Sequence, residues 1–140
     1  MNNILLDTNL LIYAIDEDSK YYNSVRKLID DESNNLFTTS KNISEFLSVV
    51  TRYPVKTISI KDALIVVEEF KSIFTILYPT EESNLIFMDL LKKYSPHGLK
   101  IHDYEIVSVA LSYNIKRIAT VNQKDFSGIS EIELVITAEF

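Results

Sequence analysis

The chain has 140 residues, 46% hydrophobic and 24% charged, a composition typical of one folded domain over residues 1–140 and not of a disordered chain. Without cysteine it can form no disulfide, thiol nucleophile or cysteine-based zinc site, and two glycines are too few for a glycine-rich phosphate-binding loop. Its net charge of −6 argues against general binding to nucleic-acid backbones, but not against an acidic site that meets a polyanion through divalent cations.

Hydrophobic patterns predict alternating strands and helices in the first half of the chain. Ile4 to Leu6 is a short apolar run, typical of a strand buried on both faces of a parallel sheet. A second strand is predicted at Leu36 to Thr38. Three helices are predicted around these strands: one in the apolar residues after Asn9, one after Asp18 or Ser19, and one that is capped by Thr39-Ser40 and stops before Pro54.

The same alternation continues in the second half. A fourth helix is predicted from about Ile60 to Lys71; more than one of its faces is apolar, so it is either deeply buried or half of an oligomer contact. The remaining predicted elements are a strand at Ile73 to Leu77, a helix opened by Thr80 to Ser83, a loop at Ser95 to Gly98, a helix from about His102 to Tyr113, and strands at Arg117 to Val121 and Glu133 to Ile136. The pattern predicts an α/β fold with a central, mainly parallel sheet of four to five short strands flanked by helices.

The first candidate functional residue is Asp7, which directly follows the first predicted strand. In open α/β sheets the working site lies outside the carboxyl ends of the strands, where Asp7 is expected. The alternative is that Asp7 or Thr8 only caps the next helix, which both residue types do well. A single acid does not decide between these two roles, so the question is whether other acids converge on the same edge.

Three further acids are candidates for that edge. Asp103 begins the sixth predicted helix on the face that carries Val107; its alternative role is to complement the helix dipole. Glu45 lies beside the apolar stripe of the third helix, where it is otherwise a solvated helix-face residue. Asp125 and Asn122 follow the fourth strand, where they are otherwise a surface-loop acid and a turn former. The predicted topology can bring all four segments to one crevice.

A cluster of carboxylates implies a bound cation. Close negative charges repel one another unless they are protonated or neutralised, so an unpaired acidic cluster indicates a metal site. Ligands that are all oxygen atoms suit Mg²⁺ or Mn²⁺ rather than zinc.

These segments resemble PIN-domain ribonucleases, most closely the VapC-type toxins of bacterial type II toxin–antitoxin systems, over essentially the whole chain. The strongest part of the resemblance is Leu6 to Tyr13, because the family typically opens with a buried strand and Asp-Thr-Asn. Ser44-Glu45-Phe46 matches the family's internal glutamate, His102-Asp103 matches the start of its late helix, and Thr120 to Phe126 matches its closing segment.

The sequence departs from the family pattern at two positions. Tyr104 stands where a small residue is usual, which affects helix packing near the site. Asn122 stands where many relatives carry aspartate, which leaves open whether Asp125 takes over as the fourth acid or the site works with three.

The resemblance implies metal-dependent endonucleolytic cleavage of RNA with Mg²⁺ or Mn²⁺. Asp7 and Asp103 are then expected to ligate the metal directly, while Glu45 and Asp125 complete the ligand set or orient the attacking water. Four residues are expected to hold these carboxylates by hydrogen bonds: Thr8, Asn9, Thr120 and Asn122. His102 is left out of the site, because helical spacing points it about 100° away from Asp103.

The resemblance also implies partners. VapC-type relatives usually act as dimers and are neutralised by a small antitoxin that covers the catalytic groove, so we expect a homodimer and a cognate antitoxin. The alternative is a PIN fold that has lost catalysis and serves as an RNA- or protein-binding module, which Asn122 and the low basic charge leave open. A haloacid-dehalogenase-like phosphatase is disfavoured, because Asn9 stands where that family needs a second aspartate.

The sequence also indicates where in the cell the protein is located. Asp7 interrupts the stretch where a signal peptide needs its apolar region, and the run Ala63 to Val67 is too short to span a bilayer, so we expect a cytoplasmic protein without a membrane partner.

Six scattered cations either line an RNA path or are solvated surface charges: Lys41, Arg52, Lys100, Lys116, Arg117 and Lys124.

Overall fold

The computed structural model describes residues 2–52 and 57–135 and has the predicted α/β architecture. Its strands are β1 (Asn2–Leu6), β2 (Asn34–Thr39), β3 (Thr75–Leu77), β4 (Arg117–Ala119) and β5 (Glu133–Val135). They form one sheet in the order β3-β2-β1-β4-β5, and every pairing is parallel. The prediction of a mainly parallel sheet of four to five strands is therefore confirmed.

The helices of the described residues are α1 (Thr8–Tyr13), α2 (Tyr22–Asp30), α3 (Ser40–Val50), α4 (Ile60–Ile73), α5 (Glu81–Tyr94), α6 (Lys100–Ser112) and α7 (Gln123–Phe126). The predicted strand start at Ile73 is wrong, because α4 continues through that residue and β3 begins at Thr75. The predictions that involve Pro54 and Ile136 fall outside the described residues. Across the ranges 2–52 and 57–135, no helix combines the length and apolar character that a bilayer span requires.

The strand order creates a crevice beside β1. The chain runs outward from β1 through β2 to β3, and then returns to place β4 on the other side of β1. The connection that follows β1 therefore runs to one side of the sheet, and the connection that follows β4 runs to the other side. Open α/β sheets bind ligands at the carboxyl ends of two such strands. Asp7 stands at this point, and its backbone N–H donates to the carbonyl of Ala119 at 3.0 Å.

The strand β1 is buried on both faces, as predicted. Ile4 and Leu6 pack into a core cluster formed with α1 to α4, whereas Leu5 packs into a second cluster formed with α5, α6 and α7. Alternate side chains of a strand point to opposite faces, so these two clusters are the two sides of a helix–sheet–helix sandwich. Asp7 is therefore mounted on a strand that packing holds from both sides.

The helices α3 and α5 begin with the same capping motif. In each, an N-cap threonine and the third helical residue exchange side-chain-to-backbone hydrogen bonds: Thr39 with Asn42 in α3, and Thr80 with Ser83 in α5. This capping box satisfies two backbone N–H groups that a helix start otherwise leaves unpaired. The two helices thus offer a matched pair of buried polar residues: Asn42, which also bonds to Asp7, and Ser83, whose capping hydrogen bonds within the described residues are all to Thr80.

Apolar side chains remain exposed on α4 and α5. The α4 face with Val67 and Phe70 is buried, whereas Ile60 and Leu64, one turn apart, are 56% and 49% exposed. On α5, Leu85 is 63% exposed. The predicted excess of apolar residues on α4 therefore divides into a face in the core and a face on the surface.

Candidate active site

The four predicted acids lie around the crevice at the carboxyl ends of the strands. Asp7 follows β1, Glu45 is in the second turn of α3, Asp103 is in the first turn of α6 and Asp125 is in α7. The negative charges of Asp7, Asp125 and Glu45 all contribute to raising the pKa of Asp103, which places the four carboxylates in one electrostatic neighbourhood.

The Asp7 carboxylate is buried and accepts four hydrogen bonds. Its Oδ1 atom accepts from the backbone N–H of Thr8 at 2.9 Å and from Nδ2 of Asn42 at 3.2 Å. Its Oδ2 atom accepts from Oγ1 of Thr120 at 2.9 Å and from Nδ2 of Asn9 at 3.3 Å. The Thr8 bond also caps α1, so Asp7 is a helix cap as well as a member of the acidic cluster.

Within the part of the chain that the structure describes, Asp7 is held by neutral donors and not by a cation. Burial raises its pKa above the usual 3.8, hydrogen bonds from Thr8 and Thr120 oppose this, and the charges of Glu45 and Asp125 raise it further. A buried carboxylate whose orientation is fixed, but whose charge is not balanced by Lys or Arg, is suited to a metal ion.

A hydrogen-bonded chain links Asp7 to Glu45. Nδ2 of Asn42, which donates to Asp7, also lies 3.0 Å from Oγ1 of Thr8. The Thr8 hydroxyl in turn donates to Oε2 of Glu45 at 2.8 Å. The end of β1, the start of α1 and the helix α3 are thereby connected through a single amide and a single hydroxyl.

Asn42 was missed by the sequence reasoning. It is 0% exposed, yet its place three residues after Thr39 identifies it only as a capping-box residue. One signal could have found it: Asn42, Glu45 and Phe46 share a helix face, so a buried polar group was to be expected next to the candidate acid.

Asn9 and Thr120 join the ends of β1 and β4. Nδ2 of Asn9 lies 3.1 Å from Oγ1 of Thr120, and Oδ1 of Asn9 accepts from the backbone N–H of Val121 at 3.3 Å. Asn122 contributes only its backbone N–H, to Oγ1 of Thr120 at 3.1 Å. Its side chain is exposed and makes no hydrogen bond to the described residues, so the structure does not bring it into this network.

Asp103 differs from Asp7 in its surroundings. Partial burial raises its pKa most, the charges of Asp7, Asp125 and Glu45 add to this, and Lys100 only partly compensates, so that its pKa lies at about 7. Its carboxylate accepts no hydrogen bond within residues 2–52 and 57–135. Its negative charge is therefore poorly compensated by the described residues.

The donor set fits a hard divalent cation. Among the described residues, no three Asp, Glu, His or Cys side chains are grouped closely enough to hold one ion by themselves. Mg²⁺ does not require such a cage, because it keeps several waters and is usually bound by one or two carboxylates plus phosphate oxygens of the substrate. Asp7 and Asp103, with oxygen ligands only, match that requirement.

A cleft of about 370 Å³ lies beside Glu45, between one face of α3 and the start of α6. Its walls carry Lys41, Ser44, Glu45, Ser48 and His102. Nζ of Lys41 forms an ion pair with Oε2 of Glu105 at 2.7 Å, which ties α3 to α6. His102, which the helical spacing turned away from Asp103, thus lines a cleft that also contains Glu45.

The six candidate cations do not lie together. Lys41 lines this cleft, and the charge of Lys100 acts on Asp103. Arg117, by contrast, begins β4 and donates to Oδ1 of Asn2, at the opposite end of the strands from Asp7. Only part of the predicted cation set is therefore near the acids.

Comparison with known proteins identifies the family. The profile of the PIN domain matches residues 4–132, a range that contains all four acids. The chain belongs to the PIN domain family. A comparison with curated proteins finds no match.

Solved structures of other PIN domains share this fold. The chain resembles VapBC2 from Rickettsia felis, solved on a DNA fragment of its promoter, at 23% identity and a TM-score of 0.70, covering 95% of this chain and 97% of that one. It resembles a toxin–antitoxin complex from Klebsiella pneumoniae at 18% identity and a TM-score of 0.71, covering 98% and 99%. It also resembles VapC20 from Mycobacterium tuberculosis, described as a sarcin–ricin loop cleaving toxin, at 10% identity and a TM-score of 0.69, covering 89% and 94%. The resemblance to VapC-type proteins is thus confirmed at the level of the PIN fold.

Proposed function

We propose that this PIN domain is a metal-dependent endoribonuclease and the toxin of a toxin–antitoxin pair. The observation that carries the proposal is the arrangement of the acids at the crevice between β1 and β4. Asp7 is fixed there by four donors, and the pKa of Asp103 is raised to about 7 by burial and by its acidic neighbours. Such a cluster favours a divalent cation and, with it, a phosphodiester.

The proposed roles follow from the surroundings of each acid. Asp7 and Asp103 ligate Mg²⁺ or Mn²⁺, and such an ion, when bound, lowers the pKa of a water ligand and stabilises negative charge on the phosphate. Glu45 has one oxygen, Oε2, engaged by Thr8, which leaves Oε1 without a partner among the described residues and able to orient a water. Asp125 completes the acidic set.

RNA is the proposed substrate, and the cleft beside Glu45 is its proposed path. Support for RNA comes from VapC20, described as a sarcin–ricin loop cleaving toxin, which has the same fold. Support for the path comes from the residue types that line the cleft: the side chains of Lys41, Ser48 and His102 can donate hydrogen bonds to phosphate or sugar oxygens. Lys41 has three N–H donors, so its ion pair with Glu105 leaves donors for a phosphate.

The proposed partners are an antitoxin and a second copy of this chain. The antitoxin is supported by likeness to the chains of the Rickettsia and Klebsiella assemblies, each covered almost completely. The homodimer is supported by the exposed apolar faces of α4 and α5, which include Ile60, Leu64 and Leu85. Cytoplasmic location and the single domain over residues 1–140 remain predictions.

Metal removal is the first test of this function. We expect the purified protein to cleave RNA in Mn²⁺ or Mg²⁺, to lose this activity in excess EDTA, and to regain it when Mn²⁺ is added back, because the acids require a cation. Gel analysis of end-labelled RNA measures the cut. Cleavage that persists in EDTA would contradict the metal mechanism, and RNA binding without cleavage in Mn²⁺ would favour the catalytically inactive alternative.

The cleft is tested by replacing His102 and Ser48 together with alanine. The loss of two donors is expected to raise KM for RNA about 3- to 10-fold and to leave kcat within about twofold, because the acids themselves are untouched. Steady-state kinetics on the same RNA measure both constants. His97→Ala is the matched control, since that exposed histidine lies in the loop before α6 and should leave KM unchanged. An unchanged KM in the double variant would exclude the cleft as the RNA path.

A further inference from the structure

The buried amide of Asn42 has a fixed orientation. Its Oδ1 atom accepts from the backbone N–H of Thr39 at 3.2 Å. A backbone N–H can only donate, so the oxygen of the amide must face Thr39, and the NH₂ group must face the other way. Oγ1 of Thr39, 2.6 Å from the same oxygen, adds a second donor on that side.

The NH₂ group is consequently directed at the acidic site. Its two near neighbours are Oδ1 of Asp7, at 3.2 Å, and Oγ1 of Thr8, at 3.0 Å. A carboxylate accepts readily, so one N–H bonds to Asp7 and the other bonds to a lone pair of the Thr8 hydroxyl. Both hydrogens of the amide are thereby used.

This arrangement determines the direction of the Thr8 hydroxyl. Because Oγ1 of Thr8 accepts from Asn42, its own hydrogen is free to point at Oε2 of Glu45, 2.8 Å away. Glu45 then has Oε2 engaged, while Oε1 accepts no hydrogen bond from the described residues. The geometry of two acids on different elements, Asp7 after β1 and Glu45 on α3, thus depends on one amide.

We propose that Asn42 is the positioning residue of this site: through Asp7 and through the Thr8 hydroxyl it fixes the orientation of both carboxylates. The proposal rests on the proposed nuclease function and assigns Asn42 no contact with substrate or metal. It acts only through Asp7 and Thr8, so its loss affects the rate of the chemical step and not the binding of RNA in the cleft.

The α5 capping box provides a matched control. Ser83 is the third residue of α5 and is paired with Thr80, as Asn42 is paired with Thr39, and it is also buried. It lies in a helix that contributes none of the four acids. Ser83→Ala therefore removes the same kind of capping contact without touching the acidic site.

The first test compares Asn42→Ala with Ser83→Ala in RNA cleavage with Mn²⁺, at a temperature where both are folded. We expect Asn42→Ala to lower kcat by about 10- to 100-fold with KM within about twofold, and Ser83→Ala to leave both constants near wild type. In EDTA we expect the melting temperature to fall by roughly 5 to 10 °C for Asn42→Ala and by about 2 to 4 °C for Ser83→Ala.

The second test asks whether Asn42 acts through Thr8. In a double-mutant cycle, adding Thr8→Ala to Asn42→Ala is expected to lower kcat by no more than about twofold beyond the worse single variant, because the shared hydrogen bond is already lost. The melting temperatures in EDTA are expected to be non-additive in the same way. Asn42→Ala and Ser83→Ala, which share no contact, are expected to combine additively.

Two results would overturn the positioning role. One is a loss of kcat in Asn42→Ala that is no larger than in Ser83→Ala, and the other is full additivity between Asn42→Ala and Thr8→Ala. Absence of RNA cleavage by the wild type in Mn²⁺ is a separate outcome, which would remove the nuclease function. The melting cycle in EDTA would still decide whether Asn42 and Thr8 are coupled.

Discussion

Asp7→Asn is expected to reduce RNA cleavage in Mn²⁺ by about a thousandfold or more, which corresponds to a loss of about 4 kcal/mol of transition-state stabilisation. The substitution keeps the shape of the side chain but replaces one charged oxygen with an NH₂ group. That group cannot ligate a cation. It also meets donors from Thr120 and Asn9 or from Thr8 and Asn42, whichever way the new amide is turned.

The activity of Asp7→Asn separates a site residue from a helix cap. Burial raises the pKa of Asp7, so the folded protein bears a cost for its charge; its removal offsets the hydrogen bonds that the new NH₂ group disrupts, and we expect the melting temperature in EDTA to change little. If Asp7 were only a cap, the variant would keep its activity, because asparagine caps a helix about as well as aspartate. Asp62→Asn, an exposed acid in the first turn of α4, is the control and should retain full cleavage.

Asp103→Asn is expected to abolish cleavage while it stabilises the metal-free protein, and the gain should increase with pH. The pKa of Asp103 is about 7 in the folded protein and 3.8 when unperturbed. Below pH 3.8 the group is protonated in both states and costs nothing. Between pH 3.8 and about 7 the unfolded chain ionises Asp103 while the folded protein keeps it protonated, so stability is lost across that window and the loss levels off above it.

The size of this effect is set by partial solvent exposure. Solvent screening reduces the effect of such a partly exposed group. The free energy of unfolding of Asp103→Asn minus that of wild type is expected to be roughly 1 to 2 kcal/mol larger at pH 8 than at pH 5. Thermal melts in EDTA at the two pH values measure it, with Asp89→Asn, an exposed acid of α5, as the control. Identical pH dependence in wild type and Asp103→Asn would contradict the assigned cause.

Local patterns were enough to place Asp7 and its strand. An apolar run of three residues followed by Asp-Thr-Asn identifies both the buried strand and the end from which the side chains emerge. The grouping of Asp7 with Asp103 and Asp125 depended on which strands are neighbours. The α/β alternation predicted a parallel sheet, but periodicity cannot show that β4 lies beside β1. The roles of the four acids stay predictions until the variants are measured.

Features that depend on tertiary contacts were beyond the sequence reasoning. α7 is a single turn of four residues, too short to have a hydrophobic period. Ile73 and Phe74 have side chains typical of a strand, yet α4 runs to Ile73 and ends with the N–H of Phe74 bonded to the carbonyl of Phe70. Asn42 has an ordinary capping position in the sequence, and only the packed structure reveals that its amide faces Asp7.

The hydrogen bond between Thr120 and Asp7 spans 113 positions of the chain, at 2.9 Å. During synthesis, Asp7 leaves the ribosome long before the hydroxyl that orients it, which is added 113 residues later. A nascent chain that stops before Arg117 lacks Thr120, Asp125 and the central pairing of β1 with β4. Under the proposed function, the active site can therefore assemble only after residue 125 has been made, and we expect chains truncated before Arg117 not to cleave RNA.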